Sequence, residues 1–189
     1  MAMTERPTSY PGTMTAEDYF VATEGDPRTQ LIDGVVIVNE PKYRHQRLVG
    51  LIFRRLAEWT ESPSGSGLAS IPTDVVIDDR NVFAPDVWWV EDPARVRLDD
   101  LLAGTPDLVV EVRSPSTWRY DTGVKRRRYQ EAGASELWLV DTVAESVLVL
   151  CRSQPDTGFD QETTVRPGEV LTSPLLPGFA LRVDELFPA

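Results

Sequence analysis

Five residues constrain this chain most: Leu108-Val-Val-Glu-Val112, a β-branched run with one carboxylate in its middle. Such a run belongs to a strand at the centre of a sheet covered on both faces. Glu111 is costly to bury there unless it is protonated, paired with a cation or coordinating a metal ion. One solution is a purely structural ion pair with a neighbouring arginine; the other is a second carboxylate sharing a divalent cation. Asp107 lies four residues away on the same strand, about 13 Å at ~3.3 Å per residue, too far to share a cation liganded at about 2.1 Å. Asp86 follows Pro85 at the head of another β-rich stretch and reaches Glu111 if the two strands pair. Asp86 and Glu111 together predict a hard-oxygen site suited to Mg2+ or Mn2+.

The flanking sequence predicts alternating elements. Thr15-Ala-Glu-Asp18 caps a short helix through Thr23, Asp33-Gly34 turns a hairpin, and apolar residues at helical spacing run from Tyr43 to Glu61. Strands are expected at Ala69 to Asp78 and Phe83 to Val90, then a polar excursion from Glu91 to Gly104 precedes the central strand. A second basic helix spans Thr122 to Ala132, and strands return at Glu136 to Val140 and Ser146 to Arg152. The fold class is α/β (α+β): a mixed central β-sheet flanked by helices, with extra C-terminal β-strands and a short last helix. The 189 residues suit a flexible N-terminus over 1–14 and a single domain over 15–189.

One cysteine and one histidine exclude an intrachain disulfide and a Cys/His zinc site, so any metal must be held by oxygen. No stretch approaches the roughly 18 apolar residues of a membrane span, and the N-terminus shows no signal pattern, so the expected location is the cytoplasm, with no membrane partner. Neither a Gly-x-Ser-x-Gly elbow nor a phosphate-cradling glycine loop is present.

Net charge is −11, which at first argues against nucleic acid. The distribution is uneven. Lys42 to Arg55 holds five basic residues and no acid, and Arg113 to Arg128 holds six basic residues against Asp121 alone, so these segments carry +10 between them. Either they are solvated helix faces, or they form a basic surface that steers a polyanion onto an acidic body. Arg113, two residues after Glu111 on the same strand face, cannot act as a base but can clamp a phosphate. Lys125 can position or deprotonate water if its pKa is lowered; the alternative is an exposed helix pair with Asp121 four residues earlier. Tyr129 shares that helix face.

Taken in order, Pro85-Asp86, Leu108-Val-Val-Glu111-Val-Arg-Ser114-Pro-Ser-Thr117, Asp121-x-x-x-Lys125-x-x-x-Tyr129, Gly133 and Leu137-Trp-Leu-Val-Asp141 resemble the Uma-type family of restriction-endonuclease-like proteins. Leu31-Ile-Asp-Gly34 and Arg44-His45-Gln46 extend the resemblance from about Thr15 to the C-terminus. That family is assigned to the PD-(D/E)XK nuclease superfamily. The resemblance implies a restriction-endonuclease-like core and a metal-dependent endonuclease acting on DNA. Asp86, Glu111 and the Val112 carbonyl would hold the cation, and Lys125 would take the role of the superfamily's lysine from a helix. Arg113, His45, Arg44, Arg47, Asp121 and Arg126 are the phosphate- or DNA-contact candidates, with His45 as readily a surface residue. Gln30 stands where many members have Glu, and Arg113 where many have Lys or an aliphatic residue. These departures favour one cation over two, and leave open a catalytically weakened nucleic-acid-binding or regulatory module of the same fold. A third reading makes Glu111 a structural partner of Arg113 or Lys125. A nuclease that cuts both strands suits a homodimer.

Overall fold

The computed structural model describes residues 12–24, 26–96, 102 and 104–188. Most of the 1–14 stretch and part of the Glu91 to Gly104 excursion lie outside the described residues. The first helix, Ala16–Thr23 (α1), starts at a capping box: Thr15 Oγ1 accepts from the Asp18 N–H, and the Asp18 carboxylate accepts from the Thr15 N–H. Strands Thr29–Ile32 (β1) and Val35–Val38 (β2) then form the expected hairpin. Asp33 and Gly34 both take positive φ, 47° and 80°, the combination that lets a two-residue turn follow the twist of its strands.

The second helix, Tyr43–Thr60 (α2), buries Leu48, Val49, Ile52, Leu56 and Trp59 along one face. Next come Leu68–Ser70 (β3), Val75–Asp78 (β4), Asn81–Phe83 (β5) and Val87–Val90 (β6). The sequence predicts two strands here and the chain makes four. Pro72 separates β3 from β4 and Pro85 separates β5 from β6, because a proline has no N–H for the ladder. Each break also carries the chain between sheets: β3 and β6 belong to one, β4 and β5 to the other.

The remaining strands are Leu108–Val112 (β7), Glu136–Asp141 (β8), Ser146–Cys151 (β9), Gln161–Val165 (β10), Val170–Leu171 (β11) and Leu181–Arg182 (β12). One sheet has the order β10-β9-β8-β7-β6-β3, mixed because β7 and β8 run parallel while the other pairs are antiparallel. A second sheet has the order β2-β1-β5-β4. A helix over Trp118–Tyr120, Asp121–Lys125 and Arg126–Glu131 (α3) connects β7 to β8, and Val183–Leu186 (α4) closes the described chain. As expected, β7 is central and buried throughout. Its alternation divides the core: Leu108, Val110 and Val112 pack with α2 and the C-terminal segment, while Val109 packs with Tyr129 of α3 and Phe83 of β5. Among the described residues, no helix is long and apolar enough to cross a membrane.

A second buried carboxylate, Glu136 on β8, is held by neutral donors: Trp138 Nε1 at 2.5 Å and Ser173 Oγ at 2.6 Å. Burial raises its pKa, and those hydrogen bonds offset only part of the rise. A carboxyl with a raised folded pKa contributes its full stability below its unfolded value, and loses it as pH rises through the folded value. Glu136→Gln keeps an acceptor for Trp138 and removes the ionisation. The expected result is equal stability at pH 4 and a more stable variant at pH 8, measured by urea unfolding.

Candidate active site

Glu111 sits at the fourth position of β7, on the odd-numbered face that meets α3. Antiparallel pairing sets Val87 against Val110, which brings Asp86, one residue before β6, alongside Glu111. Asp86 Oδ2 accepts the Val112 N–H at 2.7 Å and lies 3.2 Å from His45 Nε2, at the start of α2. Glu111 Oε1 accepts from the Tyr129 hydroxyl at 2.7 Å and lies 2.5 Å from Lys125 Nζ. Lys125 also reaches Asp121 Oδ1 at 3.2 Å, and Asp121 Oδ2 accepts from the Thr117 hydroxyl at 3.3 Å. Every one of these side chains is buried; Lys125 is 1% exposed.

The helix is built to make this row. Its middle, Asp121–Lys125, is a π-turn, flanked by α-helical residues on both sides. In a regular α-helix residue i+4 drifts past residue i by about 40° at every step. The wider π-turn rotates the chain back, so Asp121, Lys125 and Tyr129 stay in one line facing Glu111. Single π-turns inside α-helices recur at functional sites. Gly123, at the centre of the turn, has open space where a side chain would stand and no positive φ, so the turn does not depend on it. Gly123→Ala is expected to stabilise the protein by about 0.5–1 kcal/mol, read as a rise of about 2–4 °C per kcal/mol in the melting midpoint.

Three carboxylates, Asp86, Glu111 and Asp121, surround one ammonium. Burial pushes the Glu111 carboxyl up to about 8; Lys125 pulls it down, while the charges of Asp121 and Asp86 add to the rise. Asp121 is raised for the same first reason, burial. Burial alone would lower Lys125, yet Glu111 and Asp121 outweigh it and hold the amine protonated. Lys125 is therefore a fixed cation and not a base. His45 is subject to the same contest, with burial opposed by Asp86, and its pKa ends above the ordinary value.

Two carboxylate oxygens remain for a further cation. Glu111 Oε2 and Asp86 Oδ1 make no hydrogen bond among the described residues, while their partner oxygens are fixed by Tyr129 and Val112. Each carboxylate thus keeps one oxygen free. Among the described residues no three His, Cys, Asp or Glu side chains come together in a metal-binding arrangement, so main-chain oxygen and water must complete the shell. That composition suits Mg2+, which keeps several waters.

The Uma2 family model, described as "putative restriction endonuclease", matches residues 16–184. The chain belongs to the Uma2 family. A crystal structure of a putative nuclease of DUF820 from Anabaena variabilis superposes with a TM-score of 0.75 at 18% identity, covering 94% of this chain and 98% of that one. That likeness establishes a shared fold. No curated protein matches the chain.

Other expected Uma2 positions fall differently. His45 is not a surface residue: it is 5% exposed and bound to Asp86. Asp121 and Lys125 form no solvent-exposed pair but a buried one, because α3 lies directly on β7. Arg113 is tied through Nη1 to both oxygens of Asp141 at 2.9 Å and stacks on Trp118, which takes it out of an open phosphate clamp. The basic runs are largely neutralised as well. Arg44 meets Glu145, Arg55 meets Glu58 and Glu185, Arg126 meets Glu162, and Arg128 meets Asp33. Arg47 has only a 3.5 Å contact to the Leu186 carbonyl. The +10 read from the sequence is thus no bare basic patch, although such exposed pairs are weak.

Gln30 is buried on β1, its Oε1 accepting the Ala84 N–H at 3.2 Å. It lines a cleft of about 270 Å³ beside Asp86, together with Asn39, His45 and Gln46 and the rings of Pro41 and Pro72. Two participants went unassigned in the sequence: Tyr129, visible only as sharing a helix face with Lys125, and Asn39, which no spacing marks.

Proposed function

We propose that this Uma2 protein is a metal-dependent nuclease hydrolysing phosphodiester bonds of DNA, with Asp86 and Glu111 holding one Mg2+ or Mn2+. The observation that carries this reading is the pair of carboxylate oxygens on Asp86 and Glu111 that no protein donor takes among the described residues, each carboxylate being fixed through its other oxygen. The Val112 main chain lies against the same site through its N–H, and its carbonyl would be the third oxygen. When bound, the cation supplies Lewis acidity toward the scissile phosphate.

The chain's own residues do the rest. Tyr129 and Lys125 hold Glu111 in one rotamer, and the Val112 amide and His45 hold Asp86, so both ligands are set before substrate arrives. Lys125, protonated and anchored between Glu111 and Asp121, limits the repulsion between the carboxylates and the approaching phosphate. It also occupies the place between those carboxylates where a second cation would go, which favours one cation. Family membership and the shared fold support the nuclease reading.

The test is a labelled sequence offered as double-stranded DNA, single-stranded DNA and RNA, with Mg2+, Mn2+ or chelator. Metal-dependent cutting of DNA supports the proposal. Cutting that persists in chelator, or no cutting of any strand, contradicts it. Binding of DNA without cutting is the result that the weakened-module reading expects.

A further inference from the structure

Buried polar atoms without a partner are rare in native proteins, and each requires a reason. Two occur on residues lining the same cleft: Asn39 Oδ1 and His45 Nδ1 have no hydrogen-bond partner, and His45 is itself more than nine-tenths buried. Gln30 adds a third polar atom. Its Oε1 is taken by the Ala84 N–H, so its Nε2 is a donor that nothing among the described residues accepts. Gln30 therefore offers a donor, Asn39 lines the cleft with a second amide whose Oδ1 is closed off from solvent in this conformation, and the proline rings of Pro41 and Pro72 supply apolar walls.

We infer that this cleft binds a single unpaired nucleobase of the substrate strand, read by Gln30 and Asn39. Side-chain amides are groups that read base edges, and a cleft of about 270 Å³, just below the roughly 300–1,000 Å³ of small-ligand sites, holds one base and not a base pair. Asp86 lines the cleft and also faces Glu111, so a base seated there belongs to a nucleotide next to the phosphate at the carboxylates. The substrate strand must then be single-stranded, or must turn one base out of its stack, at the point of attack. The inference rests on the nuclease reading, which it deepens by naming what the site recognises beside the phosphate.

The experiment titrates the full chain with the four deoxynucleoside 5′-monophosphates and with 2-deoxyribose 5-phosphate, followed by NMR. The result expected is that at least one nucleotide binds about tenfold or more tightly than the base-free phosphate. Gln30→Glu keeps the acceptor for Ala84 and removes the donor, and Asn39→Leu removes the second amide; each should bring that ratio down toward one, with the melting midpoint recorded as a folding control. The ratio corrects for any change in phosphate affinity. A ratio near one for all four nucleotides in the natural sequence overturns the inference, as does a ratio that neither variant alters. A protein that cuts DNA yet shows no base preference loses this inference alone, and one that prefers a base yet cuts nothing loses the nuclease reading alone.

Discussion

Lys125→Met is expected to lose about 3–5 kcal/mol of stability at pH 8, the range for removing one partner of a buried ion pair. The substitution is close in length and apolar, so packing against Phe83 and Tyr129 is retained while the charge disappears. Glu111 and Asp121 then face each other and Asp86 without the ammonium that had paired with both of them. Their pKa values, already raised by burial, rise further. Raised carboxyls favour the folded state below their unfolded values and oppose it as pH climbs through their folded ones. The deficit of the variant should therefore be largest at pH 8 and shrink steadily toward pH 5. Urea unfolding at several pH values decides the matter: an equal loss throughout would assign the effect to packing and not to charge.

Glu111→Gln and Asp86→Asn should separate activity from folding in the opposite sense. Outer residues that merely orient a metal ligand are worth about 10–100-fold, so removing a ligand itself is expected to lower cleavage by at least about 10²-fold. Stability should hold or rise. Gln at 111 still accepts from the Tyr129 hydroxyl, and it removes a carboxyl whose charged form burial disfavours. Were Glu111 only a structural partner of Lys125, its loss would instead leave a buried cation less well balanced and destabilise the fold. Calorimetric titration with Mn2+ adds a third readout, with one bound ion expected in the natural sequence and none in either variant.

Much of this centre is legible in the sequence, and the limits have physical causes. Glu111 stands out because a carboxylate in a valine run has no cheap explanation, and the central place of that strand follows from the same run. Asp86 is a candidate from chemistry alone, but its seat beside Glu111 depends on the β6–β7 register, which spacing does not determine. Lys125 four residues after Asp121 looks like an ordinary exposed helix pair. Only the packing of α3 on β7, and the π-turn that aligns both with Tyr129, turns that pair into a buried one. The basic runs mislead for a related reason: Arg44 finds Glu145, 101 residues away, and a local count of charge cannot see a partner so distant. Pro72 and Pro85 are plain breaks in retrospect, yet nothing local shows that the chain changes sheets at each.

Cleavage of a supercoiled plasmid by the natural sequence and by Asp86→Asn, prepared together and assayed with Mg2+, with Mn2+ and with chelator, tests the proposed metal site. Nicking or linearisation is expected to require the metal ion and to be lost in the variant, whose melting midpoint should hold or rise. Equal cleavage by both proteins, or cleavage indifferent to chelator, would contradict that site.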